Sequence, residues 1–452
     1  MRVVFFISLL LLAFASRAGA VALEEYLADP ADPWARTPAQ WLSGETESCF
    51  RPVSDAPDSD LRYPGYANSP PVTFLGFKAY EIILRFEAGA MKGVTISLYN
   101  RGDAGDISED DFKTSAATIE DALAAWTGQK GTLKPPQKLG ANVQAYSETW
   151  PLANFHVEMK WSSSRRASLN QPSPGAAPNQ AAKGFRAEYI QVVVTPPQQP
   201  QSAVSSTASA LEKSASAADI RKNVGRDADG FVYIANIPMV DQGERGYCAV
   251  ATAERLLKYY GKDVDQHALA QLANTGTGGG TSPEGMFNML RRMSLKFGIK
   301  VKTHIDCTAK TILNIVDKYN LQAGKEGKNT VNPVENNIID VNRVFSLMEP
   351  EVLHRARCER DRSGLKKFQA DIVKCVDQGI PPAWSVILGI VKETPELPQS
   401  SGGHLRIIFG YNTDLKEILY TDSWGAGHEY KRMSFEAAWT ITTGLFSCDP
   451  RY

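Results

Sequence analysis

From Thr195 to Ala217 the chain reads TPPQQPQSAVSSTASALEKSASA. Pro, Gln, Ser and Ala dominate this stretch, and it has no apolar periodicity from which a helix or strand could bury a face. It therefore divides the chain. We place a linker at 196–221, with a folded unit before it at 21–195 and another after it at 222–452. A second tract of this kind, Ser168 to Lys183, lies inside the first unit and reads as a loop. Apolar residues make up 43% of the 452 and charged residues 22%, enough to build a core in each unit, which excludes disorder throughout. Lys+Arg at 49 against Asp+Glu at 50 leaves a net charge of -1, a balance that points to neither nucleic acid nor an anionic membrane as partner.

The N-terminus reads as a signal peptide. Arg2 precedes an apolar run of 13 residues, Val3 to Ala15, broken only by Ser8, and Ala18-Gly19-Ala20 supplies a small-x-small cleavage site. The run is too short for a comfortable membrane span, so we expect cleavage rather than an anchor, with the mature chain starting at Val21. The expectation is an exported protein, periplasmic or extracellular, with no stable membrane insertion after cleavage. Export implies an oxidising setting for Cys49, Cys248, Cys307, Cys358, Cys375 and Cys448. With Cys248 set aside, five remain, so one more thiol is left over from any pairing within the chain.

The first unit alternates strand and helix signals. Val72 to Ala88 and Gly93 to Asn100 are strand-like, Glu109 to Thr127 has helical spacing through Phe112, Ile119, Leu123 and Trp126, and Ala145 to Trp161 and Phe185 to Val194 are strand-like again. A small α+β sheet domain is expected, with no chemical motif. Arg101-Gly102-Asp103 matches an adhesion tripeptide, but its neighbours are turn formers and a plain turn explains it.

In the second unit an extended run, Phe231 to Val240, leads to a helix starting near Cys248 and stopped by Gly261. Further helices are expected at about 264–273, from Ser282-Pro283 to about Lys296, at Ala309 to Asn320 and at Leu365 to Asp377. A strand is expected at Ile299 to Ile305. Asn329 to Ser363 reads as irregular. Pro382 to Leu388, His404 to Tyr411 and Glu417 to Asp422 read as three strands of one antiparallel sheet.

The chemistry concentrates in this unit. A cysteine at a helix N-terminus meets unpaired backbone N–H groups and the positive end of the helix dipole, which favour its thiolate, the nucleophilic form. Gln242, six residues before Cys248, can bring a side-chain amide to the oxygen that the Cys248 backbone N–H faces, and such a pair of donors makes an oxyanion hole. His404 follows Gly402 and Gly403 at the start of an apolar strand and can serve as base; Asp422, at the end of the next strand, can fix its tautomer. Gly403 and Trp424 are candidates for the substrate cleft, and Trp424 can shield the His–Asp bond from water.

Gln-x5-Cys on a helix, Gly-His on a strand and Asp-Ser-Trp-Gly after the next strand resemble the papain-like cysteine peptidases, and more closely the stand-alone C39-like branch related to bacteriocin-leader-processing peptidases. The aromatic-containing segment Met433 to Trp439 is similar to one in that branch. The resemblance covers about 230–450 and none of 21–195. It implies a papain-like α+β fold and hydrolysis of peptide bonds, with Cys248 as nucleophile, His404 as base, Asp422 as orienter and Gln242 in the oxyanion hole. Papain carries Asn where this chain has Asp422. Cys248-Ala249 departs from the Cys-Gly common in the leader-processing group, and no transporter segment follows, so leader cleavage during export is not the expectation.

The substrate implied is a peptide or protein, with no cofactor. A transpeptidase or amidase of the same fold would use the same residues, and a silent papain-like domain in a binding or adhesion protein is the reading from another class. The glycine loop at 276–280 is not followed by Lys-Ser/Thr and is no phosphate cradle. His156, His267, His304, His354 and His428 show no zinc-ligand spacing, so no metal is expected. His428 competes with His404 as base; the order of base before orienter favours His404. The first unit could serve as propeptide, substrate-binding module or scaffold; a regulatory or recognition role is the expectation, with the linker open to processing that would remove an inhibitor.

Overall fold

A computed structural model describes residues 20–28, 32–65, 69–140, 143–165, 184–197, 217–243, 246–262, 264, 266–273, 281–335, 338–394 and 397–450. The signal-peptide run, most of the two low-complexity tracts and the glycine loop at 276–280 lie outside the described residues.

In the first unit the helix Glu109–Thr127 forms where its periodicity places it. Ser108 caps it, accepting from the Asp111 N–H at 3.0 Å. Glu109, Asp110 and Asp111 sit in the first turn, at the positive end of the dipole, and Gly128 ends the helix at φ 71°. Phe112, Ala116, Ile119 and Leu123 turn one apolar stripe inward. The sheet is larger than expected, with nine strands among the described residues. Its centre runs Glu81–Glu87, Ala90–Asn100, Phe185–Thr195, His156–Arg165, Val143–Pro151, every neighbour antiparallel. The single strand expected over Ala145 to Trp161 is thus a hairpin, closed where the Leu152 N–H donates to the Phe155 carbonyl. Arg101–Ala104 is one turn of helix, not an open turn, and Arg101 is buried against Asp106, so the adhesion tripeptide is not displayed.

The second unit has its own sheet, ordered Val224–Arg226, Val232–Ile234, Gly402–Asn412, Ala383–Leu388, Thr442–Pro450, Ile299–Ile305. Glu417–Thr421 pairs with Gly402–Asn412 and with Lys431–Ser434. The unit is mixed helix and sheet, with strands at both its beginning and its end. Three expectations need correction. Asn329 to Ser363 is not irregular: it contains helices Val341–Ser346 and Pro350–Cys358, which form a satellite core with Ala309–Lys325 around Ile315, Tyr319, Phe345 and Leu353. The helix from Pro283 stops at Arg292, and a separate turn, Ser294–Phe297, follows. Residues 217–221, assigned to the linker, form a helix whose Ile220 is buried in the main core of the second unit.

Charge and polarity mark the contact between the two units. Arg62 of the first pairs with Asp241 of the second, Glu81 with His267, and Ser162 with Gln271, all buried.

Candidate active site

Cys248 is the first residue of the helix Cys248–Tyr259. Tyr247 precedes it without a side-chain cap, and no acid sits in the first turn. The positive end of the helix therefore acts on the thiol without a competing carboxylate. One turn on, Thr252 donates its hydroxyl to the Leu405 carbonyl at 3.1 Å, tying the helix to the strand that carries His404. Cys248 is a half-buried free thiol.

Sheet register brings the remaining groups to it. Ile407 pairs with Thr421. Continued past the strand end, that register sets Asp422 opposite Arg406 and Trp424 opposite His404. His404 and Arg406, two apart on one strand, face the same side. His404 Nε2 lies 3.0 Å from Asp422 Oδ1, and both side chains are wholly buried. The Trp424 ring stacks on the imidazole, 4.0 Å between centroids and 3° from parallel. On the other side of the ring Nδ1 has no hydrogen-bond partner among the described residues. The Cys248 thiol acts on the imidazole electrostatically.

Burial would raise the Cys248 thiol, but the hydrogen bond and charge of His404, with the Leu405 and Ala249 backbone N–H groups, outweigh it and leave the thiol below its ordinary value. Burial likewise works against the His404 imidazolium, yet the Asp422 hydrogen bond and the Cys248 contact leave its pKa raised. The shifts are reciprocal, each favouring the charged form of its own group.

Asp422 resists burial by means of two cations that the sequence reading missed. Arg406 donates from Nε to Oδ1 at 2.7 Å and Lys431 from Nζ to Oδ2 at 2.6 Å, both cations fully buried. Desolvation pushes the carboxyl up, but Arg406, His404 and Lys431 together hold it far below the usual carboxylate range. Glu393 balances the charge, accepting from Arg406 Nη1 at 3.0 Å and from the Tyr420 hydroxyl at 2.6 Å. Arg255, seven residues after Cys248, donates to the Asp422 carbonyl at 2.7 Å and to Thr421 Oγ1 at 2.9 Å, fixing the strand end to the helix. Burial lowers its pKa to about 10, which leaves it charged at neutral pH. A signal for Arg406 was present in the sequence: a charged residue in the apolar strand HLRIIFGY, on the same face as His404.

Gln242 is buried on the turn before the helix. Its backbone N–H donates to the Ser423 carbonyl at 2.8 Å, and Ser423 Oγ donates to Oε1 at 2.7 Å. Those bonds fix the amide and join the Gln242 turn to the segment just after Asp422. Gly403 is exposed, donates its N–H to Asn342 at 3.2 Å, and has open space where a Cβ would stand. His428 does not hold the Asp422 carboxylate; its carbonyl accepts from the Asp422 N–H at 3.0 Å, and its ring meets Trp424 edge-on at 5.5 Å. No group of acids, histidines and cysteines suited to a metal ion occurs among the described residues.

A comparison with curated proteins finds no match. Gln242, Cys248, His404 and Asp422 all lie within residues 234–446, and over those residues the C-terminal half of the chain matches the model of the Peptidase_C39 like family.

Proposed function

We propose that this chain is an exported cysteine peptidase with a papain-like catalytic unit. One observation carries the reading: Cys248 opens a helix that the Thr252 hydroxyl ties to the His404 strand, and His404 Nε2 lies 3.0 Å from Asp422 Oδ1 with both side chains buried. The family match at 234–446 supports it.

In the reaction the Cys248 thiolate attacks the carbonyl carbon of a peptide bond, and the carbonyl π pair moves onto oxygen. The Cys248 backbone N–H and the Gln242 amide donate to that oxyanion. As the tetrahedral intermediate collapses, the C–N bond breaks and His404 passes its proton to the leaving amine. A thioester remains. His404, now neutral, takes a proton from water, and the hydroxide formed displaces the thiolate to release the carboxylic acid. Asp422 keeps Nε2 protonated and leaves Nδ1 for proton transfer. Trp424 covers the ring and excludes water from the His404–Asp422 bond.

The test is release of acid-soluble fragments from fluorescein-labelled casein by the purified mature chain. Wild type is expected to cleave it and Cys248→Ser to leave it intact. Equal cleavage by both would refute the mechanism. Mass spectrometry of the products with added glycinamide separates hydrolysis, which gives free acids, from transpeptidation, which gives glycinamide adducts.

A further inference from the structure

The turn that carries Gln242 is held from the first unit. Asp241 Oδ1 forms an ion pair with Arg62 Nη1 at 3.1 Å, and its Oδ2 accepts from Arg51 Nη2 at 2.7 Å. Its Oδ1 also accepts from the Gly243 N–H at 2.8 Å. Arg62 lies directly on Gly243, which adopts φ +70°; a Cβ there would sit 2.7 Å from Nη2. The residues on both sides of Gln242 are thus gripped by one guanidinium, itself wholly buried and anchored by Nε to Glu81 Oε1 at 2.8 Å. Glu81 extends the support toward the nucleophile. Its Oε2 bonds His267 Nε2 at 2.8 Å, and the His267 ring packs edge-on against Tyr247, the residue before Cys248. Gly102 of the first unit abuts the Tyr247 hydroxyl. Beyond Asp422, Asp55 accepts from the Gly427 N–H at 3.0 Å.

We propose that Arg62 is a positioning residue for the oxyanion donor: the first unit completes the site by fixing the 241–243 turn through Arg62 and Asp241. This rests on the peptidase reading above and assigns to the first unit a role in building the site in place of a removable inhibitor. Buried charges suit the task. Each is costly to separate from its partner, so the turn has few alternative positions. A donor amide displaced by about 1 Å loses on the order of a hundredfold in rate.

Two reactions of the same thiol test the proposal in the full chain. Acylation by p-nitrophenyl acetate passes through an oxyanion; alkylation by iodoacetamide does not. Arg62→Met is expected to slow acylation by about ten- to a hundredfold and to leave Cys248 alkylation within about twofold, with Arg62→Met/Gln242→Ala no slower than Gln242→Ala alone. Asp241→Asn, which keeps the acceptor for Gly243 and the side-chain volume, is expected to act in the same sense and serves where Arg62→Met does not fold. Acylation unchanged in Asp241→Asn, a parallel fall of both reactions, or losses that multiply in the double variant would overturn the proposal. The peptidase reading fails separately, with Arg62 and Asp241 intact, by acylation that persists in Cys248→Ala.

Discussion

Among the described residues, cysteine, histidine and aspartate come together at two places. At the first place are Cys248, His404 and Asp422. At the second, Cys375 Sγ lies 3.7 Å from His304 Nε2, and His304 Nδ1 lies 3.5 Å from Asp371 Oδ1. The residue types are the same and the electrostatics are opposite. Burial, with the nearby charges of Asp449 and Asp371, pushes the Cys375 thiol up to about 12. Burial lowers His304 despite Asp371. Position in the secondary structure accounts for much of the difference. Cys248 opens its helix, whereas Cys375 lies in the last turn of Arg362–Asp377, at the end of the dipole that repels an anion. The carboxylates differ as well. Asp422 is sealed between Arg406 and Lys431, while Asp371 is partly exposed and shared with a surface lysine, Lys367. His304 Nε2 is also shared with Ser447 Oγ at 3.1 Å. The place of the sulfur on its helix and the partners of the histidine set the two clusters apart; proximity of the three residues does not.

Breaking each triad in turn should expose this contrast. The largest effect belongs to the thiols. Cys248→Ala should lower turnover by at least about a thousandfold, whereas Cys375→Ala should leave it within about twofold and cost on the order of 1 kcal/mol of stability. Casein hydrolysis and urea midpoints measure both. Next are the carboxylates. Asp422→Asn should slow turnover by about a hundredfold or more and destabilise by about 3 kcal/mol, because Arg406 and Lys431 are left buried beside a neutral amide. Asp371→Asn should change stability by no more than about 1 kcal/mol and turnover not at all. A smaller step separates Asp422 from one cation only. Lys431→Met leaves Arg406 and His404 on the carboxylate and should cost about 2 kcal/mol, less than loss of the whole group.

Much of the first triad was legible in the sequence, and the reason is local. Cys248 opens a helix with a clear apolar face, and Gly402-Gly403-His404 and Asp422-Ser423-Trp424 each mark a strand end, so these residues stood out, and the family resemblance supplied their order. The cations around Asp422 were not read, because Lys431 reaches it from a four-residue strand whose register depends on Glu417–Thr421, itself ordered only by Gly402–Asn412. Arg62 was less accessible still. It pairs with Asp241 across the low-complexity tract that made the two units look independent, and a contact between residues so far apart leaves no periodic trace. The helices hidden in 329–363 were missed for another reason: they are short, and their burial is tertiary, against Ala309–Lys325.

The pH dependence follows from the directions of the shifts. The Cys248 thiolate forms below the pH range of a free thiol, and the His404 imidazolium persists above that of a free imidazole. Activity, which needs thiolate and imidazolium together, should therefore peak between the two values and fall on either side. The most direct measurement is the rate of iodoacetamide alkylation against pH, read site by site by mass spectrometry of the native chain. We expect Cys248 to react with a midpoint below the ~8.5 of a free thiol and Cys375 to remain unlabelled through pH 9. A midpoint for Cys248 at or above that of a free thiol, or labelling of Cys375 before Cys248, would contradict the account.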